Sequence, residues 1–231
     1  MGVDPANSQK PRARSQKLSA RSQELPCYNP PMSKTRARRI KLLLFDVDGV
    51  MTDGKLWFVP SLIPPPSRGG SGEGSDFDTV RRIEAKGFHA HDGTAISLAR
   101  LGGMKTGLIT KRSSETVALR ARDLKLEYVY QGAEVKIRVF EEILEKEKLA
   151  AAAVAYIGDD VIDLPIMRRC GFAIAVANAR DEVKKEAHWV TPHAGGDGAI
   201  RDAVEYILRA QGSWDSAVKR YLERGDAKTS S

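Results

Sequence analysis

Two carboxylates one residue apart close an apolar run: Leu42–Gly54 reads LLLFDVDGVMTDG, with Asp46 and Asp48 as the acids. A second acidic pair, Asp159 and Asp160, follows another apolar run in YIGDDVID. Between them lie Thr110 in GLITKR and Lys136 in QGAEVK. Carboxylates, a hydroxyl and a lysine suit phosphoryl transfer. A phosphate ester repels a carboxylate nucleophile, and a divalent cation, a lysine and oriented donors cancel that repulsion. Asp46 and Asp159, with a backbone carbonyl nearby, make an all-oxygen site of the kind Mg²⁺ prefers. Thr110 can donate to a phosphate oxygen, and Lys136 can stand beside it as a point charge. Asp48 is placed to protonate the leaving oxygen and then to activate water.

These side chains meet only if their segments end at one edge of a sheet. Ile40–Phe45 is long enough for a buried strand and too short for a typical helix. Alternation along a strand would send Asp46 and Asp48 to opposite faces, but Gly49 lets the chain turn directly after them. Lys55–Val59 reads as a short strand, and Pro60–Gly74, with PPP and GGSGEG, as a loop. A return strand near Gly87–Ala90 would close a hairpin over the acids, with Gly93 ending that unit and Thr94–Leu101 helical. Further strands are expected at Lys105–Ile109, Glu127–Tyr130, Ala153–Ile157, Phe172–Val176 and Trp189–Val190. Helices are expected from the N-cap serines Ser113 and Ser114 to Leu124, at Glu134–Glu147, from GDDVID to Arg169, and at Asp181–Glu186, Ala199–Gln211 and Trp214–Glu223. The alternation predicts an α/β fold, a Rossmann-like three-layer sandwich with a mostly parallel central sheet and a β-hairpin flap. The carboxyl ends of such strands share one edge, where open α/β sheets hold ligands.

The charge is unevenly placed. Residues 1–39 hold nine Lys/Arg against Asp4 and Glu24, whereas the other 192 residues hold 28 basic and 28 acidic side chains. The basic excess belongs to the leader, and the rest carries no electrostatic footprint for nucleic acid. Residues 1–38 are read as a disordered basic leader or a misassigned start, with Met32 as a second start; residues 39–212 form the domain and 213–231 a C-terminal helix and tail. Cys27 and Cys170 are the two cysteines, which fits a reducing cytoplasm rather than a disulfide framework. The longest wholly apolar run, Leu149–Ile157, is too short to cross a bilayer. His89 and His91 lie two apart without a nearby cysteine or third histidine, poor spacing for zinc.

The ordered set DVDGVMTDG, LIT, QG followed by Lys136, and GDDVID resembles the four motifs of the haloacid dehalogenase superfamily over roughly residues 39–212. The resemblance implies Asp46 as a nucleophile that forms an aspartyl-phosphate and Asp48 as general acid and base. It assigns Thr110 and Lys136 to the phosphoryl group, and Mg²⁺ to Asp46, the Asp48 carbonyl and Asp159. Asp160 and Asp163 stand behind those ligands as supporting acids, Asp163 being equally readable as a helix N-terminal charge. Only 22 residues separate Lys136 from Asp159, so no cap domain fits there. QG-x-x-x-K, YIGDDVID and GGDGAIRDAVEYILRAQGSW are similar to capless members that hydrolyse 3-deoxy-D-manno-octulosonate 8-phosphate. That similarity implies a phosphorylated sugar acid as partner, bound by Asp48, Asp92, Gly93, Arg100, Arg112, Arg120 and Lys136. It also implies a homotetramer whose hairpins cover neighbouring sites, while the cysteine, charge and hydropathy readings above place the chain in the cytoplasm with no nucleic acid or membrane partner.

Three positions depart from that pattern: His91 where arginine is usual before Asp-Gly, Lys111 where glycine is common after LIT, and the long connection from Pro60 to about Lys86. A nonulosonate 9-phosphate is the neighbouring substrate choice. A receiver-like phosphoacceptor domain would use similar residues, but with its acidic pair on the first strand and the phosphoacceptor later. Here the DxD comes first and GDD last.

Overall fold

The computed structural model describes residue 1, residues 30–60 and residues 82–229. Six strands form a parallel sheet: β1 (Leu42–Phe45), β4 (Lys105–Ile109), β5 (Tyr128–Tyr130), β6 (Val154–Gly158), β7 (Phe172–Ala175) and β8 (Trp189–Val190). Their spatial order is β5-β4-β1-β6-β7-β8. The strands β2 (Trp57–Pro60) and β3 (Arg82–Ala85) pair antiparallel as a separate hairpin. Every residue of β1, β6 and β7 is buried, as expected for strands covered on both faces.

The chain runs from β1 through β4 to β5, then returns to β6 on the other side of β1 and continues outward. Right-handed crossovers therefore place helices on both faces. On one face α2 (Ala90–Leu101) packs against α3 (Glu115–Leu124), α7 (Ala199–Gln211) and α8 (Trp214–Thr229), and α1 (Pro30–Ala37) packs against α7. On the other, α4 (Lys136–Glu147) packs against α5 (Leu164–Met167), and α5 against α6 (Asp181–Glu186). The α7 helix buries Ile200, Ala203, Val204, Ile207 and Leu208, spacing that faces one stripe toward the sheet. The guanidinium carbons of Arg201 and Arg209 lie 4.8 and 5.0 Å from the Trp214 ring centre, cation–π contacts that tie α8 to α7. Burial of large apolar side chains such as Phe45, Phe140, Phe172 and Ile157 contributes about 1.5–3 kcal/mol each.

Three expectations are corrected. The return strand is Arg82–Ala85 rather than Gly87–Ala90, and α2 starts at Ala90 rather than Thr94, so Gly93 lies inside the helix. Gly93 lies close to α3: a Cβ there would stand 2.7 Å from an Arg120 guanidinium nitrogen and 3.2 Å from Leu124 Cδ2. Residues 30–37, read as part of the leader, are helical instead. The helix α1 spans Pro30–Ala37, Ala37 is fully buried, and Ser33 Oγ hydrogen-bonds Tyr206 Oη at 2.6 Å. Residues 2–29, and the Pro60–Gly74 loop beyond Pro60, lie outside the described residues. No cap domain occurs among the described residues.

Candidate active site

The strands β4, β1 and β6 are adjacent, so the residues just beyond their carboxyl ends are neighbours. Phe45 is in register with Leu108 on one side and Ile157 on the other. Asp46 follows β1, and its N–H donates to Ile157 O at 3.1 Å. Thr110 follows β4, is 3% exposed, and is fixed through its N–H to Tyr130 O at 2.9 Å. Asp159 follows β6. The chain reverses after Asp46: the N–H groups of Val50, Met51 and Thr52 all donate to Val47 O, and Gly49 adopts φ +91°. A Cβ there would lie 2.1 Å from Asp159 Oδ2, so glycine lets the two loops touch.

Lys136, at the start of α4, joins the acids. Its Nζ lies 2.7 Å from Asp46 Oδ2 and 2.8 Å from Asp163 Oδ1. Asp163 is fully buried and accepts from Tyr156 Oη at 2.7 Å and from Asp159 N at 3.1 Å. Asp160 is exposed and caps the 3-10 turn Val161–Asp163, its Oδ1 accepting from Val161 N at 2.8 Å. Burial raises the Asp46 carboxyl to about 6, with the Asp163 charge adding to it. Burial likewise raises Asp159 to about 7, helped by Asp163, Asp46 and Asp160. Burial works to lower Lys136, but the Asp163 and Asp46 carboxylates prevail and hold its ammonium above the usual range.

This concentration of negative charge matches a hard cation. Carboxylate oxygens of Asp46, Asp159 and Asp163 lie within 4.8 Å of one another. The Asp159 Oδ1 atom is buried without a hydrogen-bond partner, an arrangement a bound metal would relieve.

The residues read as substrate contacts divide. Arg112 is at the site, its Nε 3.6 Å from Asp48 Oδ2. Arg100 instead caps the end of α3, donating to Leu124 O at 3.1 Å. Asp92 is buried and accepts from Arg201 N at 2.8 Å, a tie to the start of α7. Arg120 stacks on Phe88, 5.7 Å from its ring centre, next to Gly93. Of the departures, His91 is exposed and packs edge-on against His89, while Lys111 points to Glu134 at 3.9 Å.

Sequence reasoning missed three participants. Tyr156 was read only as an apolar strand residue, although a tyrosine two residues before a Gly-Asp-Asp turn carries a hydroxyl in reach of the site. Glu84, on β3, and Lys86, directly after it, carried no reading from the sequence. The Lys86 ammonium bonds Asp48 Oδ1 and lies 3.4 Å from Glu84 Oε1.

A parallel sheet that collects acids, a lysine and a buried threonine beyond adjacent strand ends is the arrangement of an α/β protein suited to phosphoryl transfer. Residues 105–202 match the family model described as haloacid dehalogenase-like hydrolase. The 3-deoxy-D-manno-octulosonate 8-phosphate phosphatase KdsC of Salmonella typhimurium is 37% identical over 193 residues, 83% of this chain and 92% of that one. The chain belongs to the haloacid dehalogenase-like hydrolases. A probable YrbI family phosphatase from Pseudomonas syringae superposes with a TM-score of 0.71 at 38% identity, covering 83% of this chain and 98% of that one. The 3-deoxy-D-manno-octulosonate 8-phosphate phosphatase of Moraxella catarrhalis, solved with magnesium, phosphate and the sugar acid, has a TM-score of 0.71 at 29% identity, covering 84% and 99%. Family membership sets aside the receiver-like reading.

Proposed function

We propose that the protein is a Mg²⁺-dependent phosphatase that hydrolyses 3-deoxy-D-manno-octulosonate 8-phosphate through an aspartyl-phosphate on Asp46. The observation that carries this reading is the buried Lys136 ammonium held between Asp46 and Asp163, beside the unpartnered Asp159 oxygen. The named activities of the relatives support the substrate.

In this reading the Asp46 carboxylate attacks phosphorus, the phosphate ester bond breaks, and Asp48 gives its proton to the departing sugar oxygen. Asp48 then takes a proton from water, which attacks the aspartyl-phosphate and frees inorganic phosphate and Asp46. Lys136 and Thr110 bind phosphoryl oxygens. Asp46, Asp159 and the Asp48 carbonyl would hold Mg²⁺, which supplies positive charge against the phosphate. Arg112 is the substrate contact best supported by position.

A homotetramer belongs to the same proposal. The hairpin exposes Leu56, Trp57, Phe58, Val59 and Ile83, each over two-fifths accessible, and an apolar patch of this kind supports burial against another copy. Cytoplasmic placement rests on the low cysteine content. Among the described residues no helix is long and apolar enough to cross a membrane.

The test is phosphate release from a panel of phosphorylated sugar acids with Mg²⁺, comparing wild type with Asp46→Asn. The expected result is turnover of the eight-carbon keto-acid phosphate, abolished by the substitution. Preference for a nine-carbon acid would replace the substrate, and unchanged activity in Asp46→Asn would overturn the mechanism.

A further inference from the structure

Asp48 needs an orientation as well as a proton, and the hairpin supplies a candidate for what fixes it. Lys86 follows β3 directly, and its side chain is only 1% exposed although it carries a charge. Its ammonium donates to Asp48 Oδ1 and lies 3.4 Å from Glu84 Oε1. Arg112 completes the group: its Nη2 donates to Glu84 Oε1 at 2.8 Å, while its Nε stays 3.6 Å from Asp48 Oδ2, beyond hydrogen-bond reach. Two carboxyl groups and two cationic side chains are thus tied into one cluster. Glu84 is itself held in place, its carbonyl accepting from Thr116 Oγ1 at 3.1 Å. Buried lysines are rare unless paired, and this pairing joins a hairpin residue to the loop after β1.

We propose that Lys86 is a positioning residue for Asp48, anchoring Oδ1 so that Oδ2 is the oxygen that carries the proton to and from the reacting groups. Among the described residues Oδ2 accepts no hydrogen bond. Glu84 keeps Lys86 in place and Arg112 keeps Glu84 in place, which makes the base of the flap part of the catalytic apparatus as well as a cover. The inference rests on the reading of Asp48 as general acid and base.

The experiment compares kcat/KM for two substrates that lack a carboxylate: a simple alkyl phosphate, whose leaving oxygen must be protonated, and p-nitrophenyl phosphate, whose leaving group departs as a stable anion. Lys86→Met should lower kcat/KM for the alkyl ester about 10- to 100-fold, a part of what general acid catalysis provides, and that for the aryl ester by less than about threefold. Lys86→Arg should recover most of the loss. Equal losses on both esters, or a loss confined to the sugar-acid substrate, would overturn the proposal, the first as a structural role and the second as a substrate contact. Orthovanadate inhibition with Mg²⁺ reports whether the variant site is intact. Should Lys86→Met fail that check, Glu84→Gln decides: a smaller loss with the same alkyl selectivity supports the proposal, and none overturns it. Asp48→Asn run alongside separates the two levels: hydrolysis of the alkyl ester by that variant removes the parent reading itself.

Discussion

The Lys136 ammonium lies 2.7 Å from Asp46 Oδ2, with both side chains about 95% buried. An ion pair this dry is held by geometry, and removing one partner leaves the other charge uncompensated. Lys136→Met should therefore do two things. It should lower kcat by about 10³-fold or more, because the phosphoryl group loses its fixed cation. It should also destabilise the metal-free fold by about 3–5 kcal/mol, since Asp46 and Asp163 would face each other unscreened. Steady-state kinetics and urea unfolding in chelator measure the two effects separately.

Metal binding should depend steeply on pH. Burial raises Asp46 to about 6 and Asp159 to about 7, and a carboxylate must be ionised to ligate. Mg²⁺ affinity, followed calorimetrically, should fall as pH drops through 7 and 6, with proton release on binding. Affinity independent of pH across that range would contradict the assignment of these two acids.

The same shifts make a stability prediction of opposite appearance. Both acids bind protons more tightly in the folded protein than in the unfolded chain. Without metal, the folded state therefore loses stability as pH rises from about 4 to about 7, on the order of a few kcal/mol. Asp159→Asn should be more stable than wild type at neutral pH in chelator, and the advantage should vanish near pH 4. Thermal melts of both proteins across that range test it. Added Mg²⁺ should reverse the order, because wild type alone keeps the ligand set.

Tyr156 is fully buried and its hydroxyl stays protonated far beyond ordinary pH, because burial and the charges of Asp163 and Asp46 oppose ionisation. It is thus a permanent donor to Asp163 Oδ1 at 2.7 Å. Tyr156→Phe should cost about 1–3 kcal/mol of stability. It should lower kcat about tenfold or more by loosening the acid that holds Lys136, with KM little changed. An equal loss from Tyr128→Phe, whose hydroxyl bonds Glu147 away from the site, would show the effect to be general destabilisation.

Gly49→Ala tests the contact between the two acidic loops. The positive φ alone costs about 1–2 kcal/mol for a residue with a Cβ. The new methyl would also displace Asp159 Oδ2, which stands 2.1 Å from its position. Mg²⁺ affinity should fall at least about tenfold while Lys136→Arg, which leaves the loops alone, keeps it. On the tetramer proposal, replacing Trp57 and Phe58 together by serine should instead leave the metal site intact and shift the light-scattering mass toward the monomer.

Much of the site's placement was legible because its residues sit in contiguous strings. An apolar strand followed by Asp-x-Asp-Gly, and another followed by Gly-Asp-Asp, each state a strand, its end and a turn in a few residues. Alternating strands and helices then implied one parallel edge, and Asp46, Thr110 and Asp159 lie on it as expected. What failed lay at α1, which was read as part of the leader, and at the hairpin and α2. There the residues from Gly87 to Gly93 punctuate the sequence like a strand and stop, yet Asp92 and Gly93 lie in the first turn of a helix, Asp92 accepting from Arg201 N and Gly93 packed beside Arg120.

The sequence by itself determined which residues can do phosphoryl chemistry and on which kind of sheet edge, since residue type and short-range periodicity are written in the chain. Only the tertiary structure decided the partnerships: Lys136 with Asp163, Tyr156 beneath them, Lys86 on Asp48, and Arg100 capping a helix. Those depend on how distant segments pack, and long flexible side chains reach several acids or carbonyls equally well until a fold excludes all but one.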